Sequence, residues 1–366
     1  MYRLTDYGAI LRDRRRVDAY SRALAASVSP SAIVLDLGAG LGTFSILACL
    51  HGCERVYAVE PGEVIGVARE HALANGVADR IEFLRKRATE IELPERVDVI
   101  VSDLAGALPL FEEHIPSVIH AREHFLKPGG VLIPQRDRLM CAPVAAIPDP
   151  WNAIPAVDFT AAKTMALSEP QAVRVAPADL VAEPRCWAEL DYATIASPDV
   201  RGSVEWATAG GEIRGFALWF ESTLHGDITN SSGPWFPDSV YATMVLPLLE
   251  PLRATDALRL TIDATLAGGR YILKWRVGEG AWQTTRTERS ILQHRIGEHL
   301  LLIDGASGAY HVLNETGAEV WEALRRGDDV ETIAAALARH YDVDAPRASE
   351  DVAAIVRDLR RAGLMD

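Results

Sequence analysis

The sequence predicts an α/β fold followed by an antiparallel β region and a small mixed domain, and three observations carry that expectation. Between residues 32 and 134, short apolar runs alternate with stretches of helical periodicity, the pattern of βαβ units around a parallel sheet. Beyond residue 134 the helical patterns give way to short alternating stretches punctuated by Gly, Pro and Asp, which reads as an antiparallel sheet or barrel. From residue 290, two strand-like pieces precede three helices. The 366 residues are enough for two or three domains at roughly 100 to 200 residues each. The expected boundaries are 1–134, 135–289 and 290–366.

A helical segment is expected first, then strands at 33–37, 55–59, 81–84, 97–102 and 130–133 with helices at 43–51, 64–74 and 116–125 between them. The second part shows alternation at 214–221, 241–248, 258–264 and 271–277, and the third at 299–303 and 309–313. Its helix starts are read from capping boxes, Thr316 with Glu319 and Asp328 with Glu331, in which side chains satisfy otherwise unpaired amides. Ser349, followed by Glu350 and Asp351, is expected to open the last helix, and Gly363 to close it. No internal repeat or low-complexity tract interrupts this order.

With 49% hydrophobic and 24% charged residues, the chain has the composition of a globular protein. A net charge of −14 argues against nucleic acid or an anionic membrane as partner, because both need a clustered positive field. No apolar run approaches the ~18 residues of a membrane span, and the charged N-terminus lacks the apolar core of a secretory signal. A cytoplasmic location is expected. Cys49, Cys53, Cys141 and Cys186 form no CxxC pair, so neither a disulfide framework nor a metal site is expected.

The chemistry concentrates at strand ends. Gly38, Gly40 and Gly42 follow the first strand and open a helix, with Asp36 just before them, and glycine is needed where backbone must approach a ligand closely. The spacing is GxGxG rather than the GxGxxG of a dinucleotide fingerprint. Glu60, ending the second strand, can accept hydrogen bonds from both hydroxyls of a ribose. A nicotinamide-dependent dehydrogenase also fits these residues alone. Together they resemble the class I S-adenosyl-L-methionine methyltransferases, in which such a loop passes under the methionine part and the strand-two acid holds the ribose.

A closer resemblance follows from Ser102, Asp103, Gly106 and Glu112, which are similar to the acidic loop of the protein arginine methyltransferases, SE-x-x-G and then a second Glu. Asp13, Arg16 and Tyr20 match that family's D-x-x-R-x-x-x-Y segment, residues 125–134 its strand into the barrel, and residues 157–160 and 166–170 its arm region. The resemblance implies a Rossmann-like cofactor sheet, a β-barrel substrate and dimerisation domain, and a homodimer through an arm at 151–170. It implies S-adenosyl-L-methionine as cofactor, leaving as S-adenosyl-L-homocysteine, with Arg16 on its carboxylate and Asp36, Gly38, Gly40, Gly42 and Glu60 around it. Asp103 and Glu112 are the implied catalytic pair. A guanidinium is a poor nucleophile with a planar fork of donors, and two carboxylates can grip that fork and turn one nitrogen toward the methyl group. Two departures stand out: Asp103 is one methylene shorter than the family's Glu, and Ser239, Val240 and Tyr241 occupy the place of its Thr-His-Trp loop. Tyr241 is therefore expected at the substrate site.

The third part follows another pattern, through Leu300, Asn314, Gly317, Trp321, Gly327, Asp351, Leu359 and Leu364. It resembles the PqqD-like peptide chaperones of pyrroloquinoline quinone biosynthesis, whose winged-helix-like fold binds the leader of a ribosomally synthesised precursor peptide (RiPP) as an added strand. Arg357 and Arg360 of the last helix can pair with leader acids. A cap that only stabilises the protein is an alternative, and a DNA-reading winged helix fits less well with so many acids. The expected function is leader-guided methylation of a precursor peptide, most plausibly at an arginine nitrogen. O-methylation of a peptide carboxylate is a second reading, which requires one active-site acid to be protonated. A third is a non-catalytic subunit presenting a peptide to other enzymes.

Overall fold

The computed structural model describes residues 4–154, 156–167, 169–207, 211–253, 257–284, 291–297, 299–304, 310–326, 328–341, 343–362 and 364–365. Ser290, Ala309, Gly327 and Gly363, used above as boundary or motif residues, lie outside them. The chain divides into two compact units, Met1–Thr285 and Arg286–Asp366.

The first unit opens with helices α1 (Leu4–Arg12) and α2 (Arg14–Ser27). Then come β1 (Ile33–Leu37), α3 (Thr43–Leu50), β2 (Arg55–Val59), α4 (Ile65–Ala74), β3 (Ile81–Leu84), β4 (Val97–Ser102), α5 (His114–His124) and β5 (Leu126–Ile133). All five strands are parallel, in the order β3-β2-β1-β4-β5. The chain thus winds outward from β1 on one side and returns to β4 on the other, which makes the C-terminal ends of β1 and β4 the switch point where such sheets bind ligands. Helix α5 starts at His114, earlier than expected, because Pro116 falls in the first turn, where a missing N–H loses no helical hydrogen bond.

The antiparallel part comprises β6 (Arg136–Val144), α6 (Thr160–Ala166), β7 (Gln171–Val173), β8 (Arg185–Asp191), β9 (Val200–Trp206), β10 (Glu212–His225), β11 (Ile228–Ser231), β12 (Thr243–Arg253), β13 (Leu258–Ala267), β14 (Arg270–Val277) and β15 (Gln283–Thr284). Where one barrel was expected, hydrogen bonding among the described residues gives two sheets, β7-β12-β10-β6-β8 with β11 on β10, and β15-β14-β13-β9. Strand β10 is buried on both faces. Phe216, Leu218 and Phe220 join a core shared with Leu35, Tyr57 and Ile100 of the parallel sheet, whereas Ala217 and Trp219 join a smaller cluster with Met140 and Val144. This period-two split explains why the expected first and second domains form one unit: a single apolar core runs through both.

The second unit has a three-stranded antiparallel sheet, β16 (Ile291–Ile296), β17 (His299–Asp304) and β18 (Tyr310–Leu313), followed by α7 (Glu315–Arg326), α8 (Val330–His340) and α9 (Ala345–Arg361). Its helix starts differ from those expected. Asn314 caps α7 through the Gly317 amide at 2.9 Å, and Asp329, not Asp328, caps α8 through the Thr332 amide at 2.7 Å. Helix α9 begins a full turn before Ser349, capped by Asp344 with Pro346 in its first turn. In each case a neighbouring Asn or Asp offers the same short acceptor one to five residues away, and Pro within the first turn favours the earlier start.

Candidate active site

Strand register builds the site. Leu37 pairs with both Val59 and Ser102, so the next residues, Gly38, Glu60 and Asp103, leave three neighbouring strands side by side. Gly38, Gly40 and Gly42 all have positive φ, 74°, 51° and 80°, a conformation L side chains rarely adopt. A Cβ on Gly38 would lie 2.2 Å from the Leu104 side chain, and one on Gly40 would lie 2.9 Å from the Tyr7 ring, so the acidic loop and α1 both close over the glycines. Glu60 accepts from the amides of Gly40 at 3.2 Å and Gly62 at 2.7 Å. Asp36 turns into the protein, accepts from Ser45 Oγ at 2.6 Å, and holds the first turn of α3 on β1. Burial raises its pKa to about 6, against the opposing pull of the Ser45 hydrogen bonds.

Arg16, on α2, is buried, and its guanidinium donates to Asp103 Oδ2 and to the Ile10 carbonyl, the latter at 3.2 Å. Its Nε is buried with no hydrogen-bond partner among the described residues. Tyr241 donates from its hydroxyl to the other Asp103 oxygen at 2.5 Å. Burial holds that hydroxyl well above the usual phenol range, which keeps it a donor. Asp13 joins the two elements: one oxygen caps α2 through the Arg16 amide at 3.1 Å, and the other accepts from the Val240 amide at 3.0 Å. Tyr20 reaches the Ser102 carbonyl at 3.3 Å and stacks on Phe44.

Glu112 differs from Asp103 in every respect. It is exposed, has no hydrogen-bond or ion-pair partner among the described residues, and is the one non-glycine with positive φ, 43°, among them. Strain of this kind persists only where the surroundings over-determine it, and it gathers at functional loops. Just beyond, His114 anchors the loop to the antiparallel part: its Nε2 lies 2.9 Å from the Tyr192 hydroxyl, which donates to Asp137 Oδ2 at 2.6 Å. Sequence reasoning missed this chain, for which periodicity carries no signal, and it missed the bridging role of Asp13, although an Asp before a helical run announces a cap.

The structure thus brings together Arg16, Gly38, Gly40, Gly42, Glu60, Asp103 and Tyr241. Glu112 lies further along the same loop, and Asp36 lies behind it. Arg357 and Arg360 stand apart, on the exposed side of α9 in the second unit.

Comparison with known proteins matches this layout. A family model described as a methyltransferase domain covers residues 34–130, and one described as coenzyme PQQ synthesis protein D (PqqD) covers residues 299–365. Protein arginine N-methyltransferase 6 of Xenopus laevis is 32% identical over 277 residues, spanning 69% of this chain and 82% of that protein. The chain belongs to the protein arginine N-methyltransferase family. It is therefore a methyltransferase dependent on S-adenosylmethionine, fused to a PqqD-like domain. Solved members share the fold. The Trypanosoma brucei PRMT1 enzyme-prozyme heterotetrameric complex with AdoHcy aligns at TM-score 0.67 and 22% identity, over 76% of this chain and 96% of that one. Arabidopsis thaliana Protein Arginine Methyltransferase 10 aligns at 0.65 and 21%, over 85% and 96%. Within the arginine N-methyltransferase family pattern, this chain has the acidic loop with Asp103 as its first acid, and Tyr241 reaches that acid from the loop that departs most.

Proposed function

We propose that this chain N-methylates an arginine side chain of a ribosomally synthesised precursor peptide, whose leader is held by the PqqD-like unit. One observation carries the chemistry: Gly38, Glu60 and Asp103 emerge in register at the switch point, with the unpartnered carboxylate of Glu112 on the same loop. The residues suit the cofactor. The glycine loop offers backbone with no side chain in the way, Glu60 suits the ribose hydroxyls, and the buried, unpartnered Nε of Arg16 suits a carboxylate. When bound, S-adenosylmethionine supplies an electrophilic methyl group on its sulfonium sulfur. The chain's part is to orient the acceptor. Glu112 grips one edge of the guanidinium and takes the proton its nitrogen gives up, while Asp103, fixed by Arg16 and Tyr241, sets the other edge.

In the second unit, β18 pairs only with β17 among the described residues, so its free edge suits an added leader strand, with Arg357 and Arg360 available to leader acids. Tethering raises the local concentration of the core segment. A homodimer formed through residues 151–170 accords with the exposed Ile154 and Val157. The test is to incubate the full chain with S-adenosylmethionine and the short peptide encoded beside it, then read the product by mass spectrometry. Added methyl units on Arg support the proposal; an alkali-labile ester, or retained binding with no mass change, refutes it.

The cofactor assignment has its own test. Gly38→Ala must bear a positive φ and displace Leu104, so S-adenosylmethionine binding is expected to weaken by roughly tenfold or more, as about 1–2 kcal/mol of strain implies. Gly52→Ala also has a positive φ, 97°, but open space around it, and should lower only the melting temperature. Calorimetric titration beside thermal melts separates the two.

A further inference from the structure

We propose that Arg174 is a positioning residue for the acceptor site, acting through Tyr241. The proposal rests on the reading of Asp103 and Tyr241 given above. Arg174 directly follows β7, an edge strand whose Val173 pairs with Thr243 of β12. Its guanidinium spans the loop before β12: Nη1 donates to the Tyr241 carbonyl at 2.7 Å, and Nη2 donates to the Ser239 carbonyl. Two carbonyls two residues apart are thus held by one rigid fork.

The amide side of the same three residues is held from elsewhere. The Ser239 amide donates to the Phe236 carbonyl at 3.0 Å, the Val240 amide to Asp13 at 3.0 Å, and the Tyr241 amide to Ser239 Oγ at 3.3 Å. The Tyr241 ring rests edge-on against Phe220, with centroids 5.1 Å apart. Within this frame the Tyr241 hydroxyl has one task, the 2.5 Å hydrogen bond to Asp103 Oδ1. A short carboxylate such as Asp103 has little reach of its own, so a loop displaced by an ångström loses that bond. Arg174 is the group that ties the loop to β7, on the side away from Asp13. Lysine cannot replace it fully, because an ammonium is a point charge without the planar fork that reaches both carbonyls.

The test uses the full chain with Arg174→Met, Arg174→Lys, Tyr241→Phe and the double variant Arg174→Met/Tyr241→Phe. Hydrogen exchange, read by mass spectrometry on the peptide covering residues 236–243, should speed up in Arg174→Met and be largely rescued in Arg174→Lys. On the peptide used above, kcat should fall roughly tenfold in Arg174→Met, the size of one lost positioning contact, with the KM for S-adenosylmethionine unchanged. In the Tyr241→Phe background, Arg174→Met should cost less than about twofold more, as coupled residues do. Unchanged exchange, a lower melting temperature with kcat intact, or losses that multiply in the double variant would each overturn the proposal. A wild type that leaves the peptide unmethylated sinks the functional reading instead, and the exchange result still decides whether Arg174 holds the loop.

Discussion

Glu112→Gln is expected to lower methyl transfer by about 10² to 10⁴-fold, the span observed when a positioned acid–base or charge-stabilising group is removed, while S-adenosylmethionine affinity stays within about twofold. Three observations produce this expectation. Glu112 has no ion pair among the described residues, so its charge is not spent within the protein. Asp103, by contrast, has one oxygen on Arg16 and the other on Tyr241, and the Arg16 cation already offsets its charge. The acceptor guanidinium therefore meets one free carboxylate, and an amide in its place keeps the shape and loses the charge. The residues that suit the cofactor lie at the ends of β1 and β2 and on α2, away from that change. Glu112→Gly provides the complementary control. It relieves the positive φ of 43°, so it should raise or maintain the melting temperature while also abolishing turnover. Homocysteine-product assays, calorimetric titration and melts measure all three quantities. If the Gln variant keeps more than about a third of wild-type kcat, or cofactor affinity falls in step with it, Glu112 has a different role.

How much of this was legible beforehand differs by level. Strands β1 to β4 could be read from the chain because buried parallel strands are continuous apolar runs, and their observed bounds match the expected ones. Strand β10 could not be bounded, since Gly215 to Phe220 are covered on both faces and leave no alternation at which to stop. The acidic loop was visible as spacing, but the state of its acids was not. The contacts of Asp103 with Arg16 and Tyr241 span 87 and 138 residues, and only the folded sheet order brings those positions together. The helix caps slipped for a local reason: Asp328 and Asp329 are chemically equal, and geometry alone selects the second. His114 gave no sign at all, since a His after two glutamates reads as solvated loop.

That hidden histidine gives the largest stability effect. His114 is fully buried, and burial lowers its pKa from 6.5 to about 4. Because Tyr192 spends its proton on Asp137, the histidine must donate from Nε2, which leaves a neutral ring whose Nδ1 is buried without a partner. Its folded-state pKa lies below the unfolded value, so its contribution is complete above pH 6.5. It is lost as pH falls toward 4, where unfolded chains take up a proton that folded ones refuse. The full loss is about 3 kcal/mol at 1.36 kcal/mol per pH unit. Asp36 and Asp137 act with the opposite sign. Burial raises both to about 6, so they destabilise the fold as pH rises from 3.8 through 6 and mask the histidine in the wild-type profile. His114→Met removes one contributor only. It leaves the Tyr192 to Asp137 hydrogen bond in place and fills the space with an apolar chain of similar reach. Urea unfolding of the variant and the wild type between pH 7.5 and 4 should show a constant offset near neutrality. Below pH 6.5 the difference should shift in favour of the variant by up to about 3 kcal/mol, and parallel curves throughout would show that His114 is not held neutral. The same measurement bears on the site, because His114 ends the loop that carries Glu112. If the histidine is the anchor, turnover in the wild type should be lost at acid pH before global unfolding begins, and His114→Met should move that loss to lower pH.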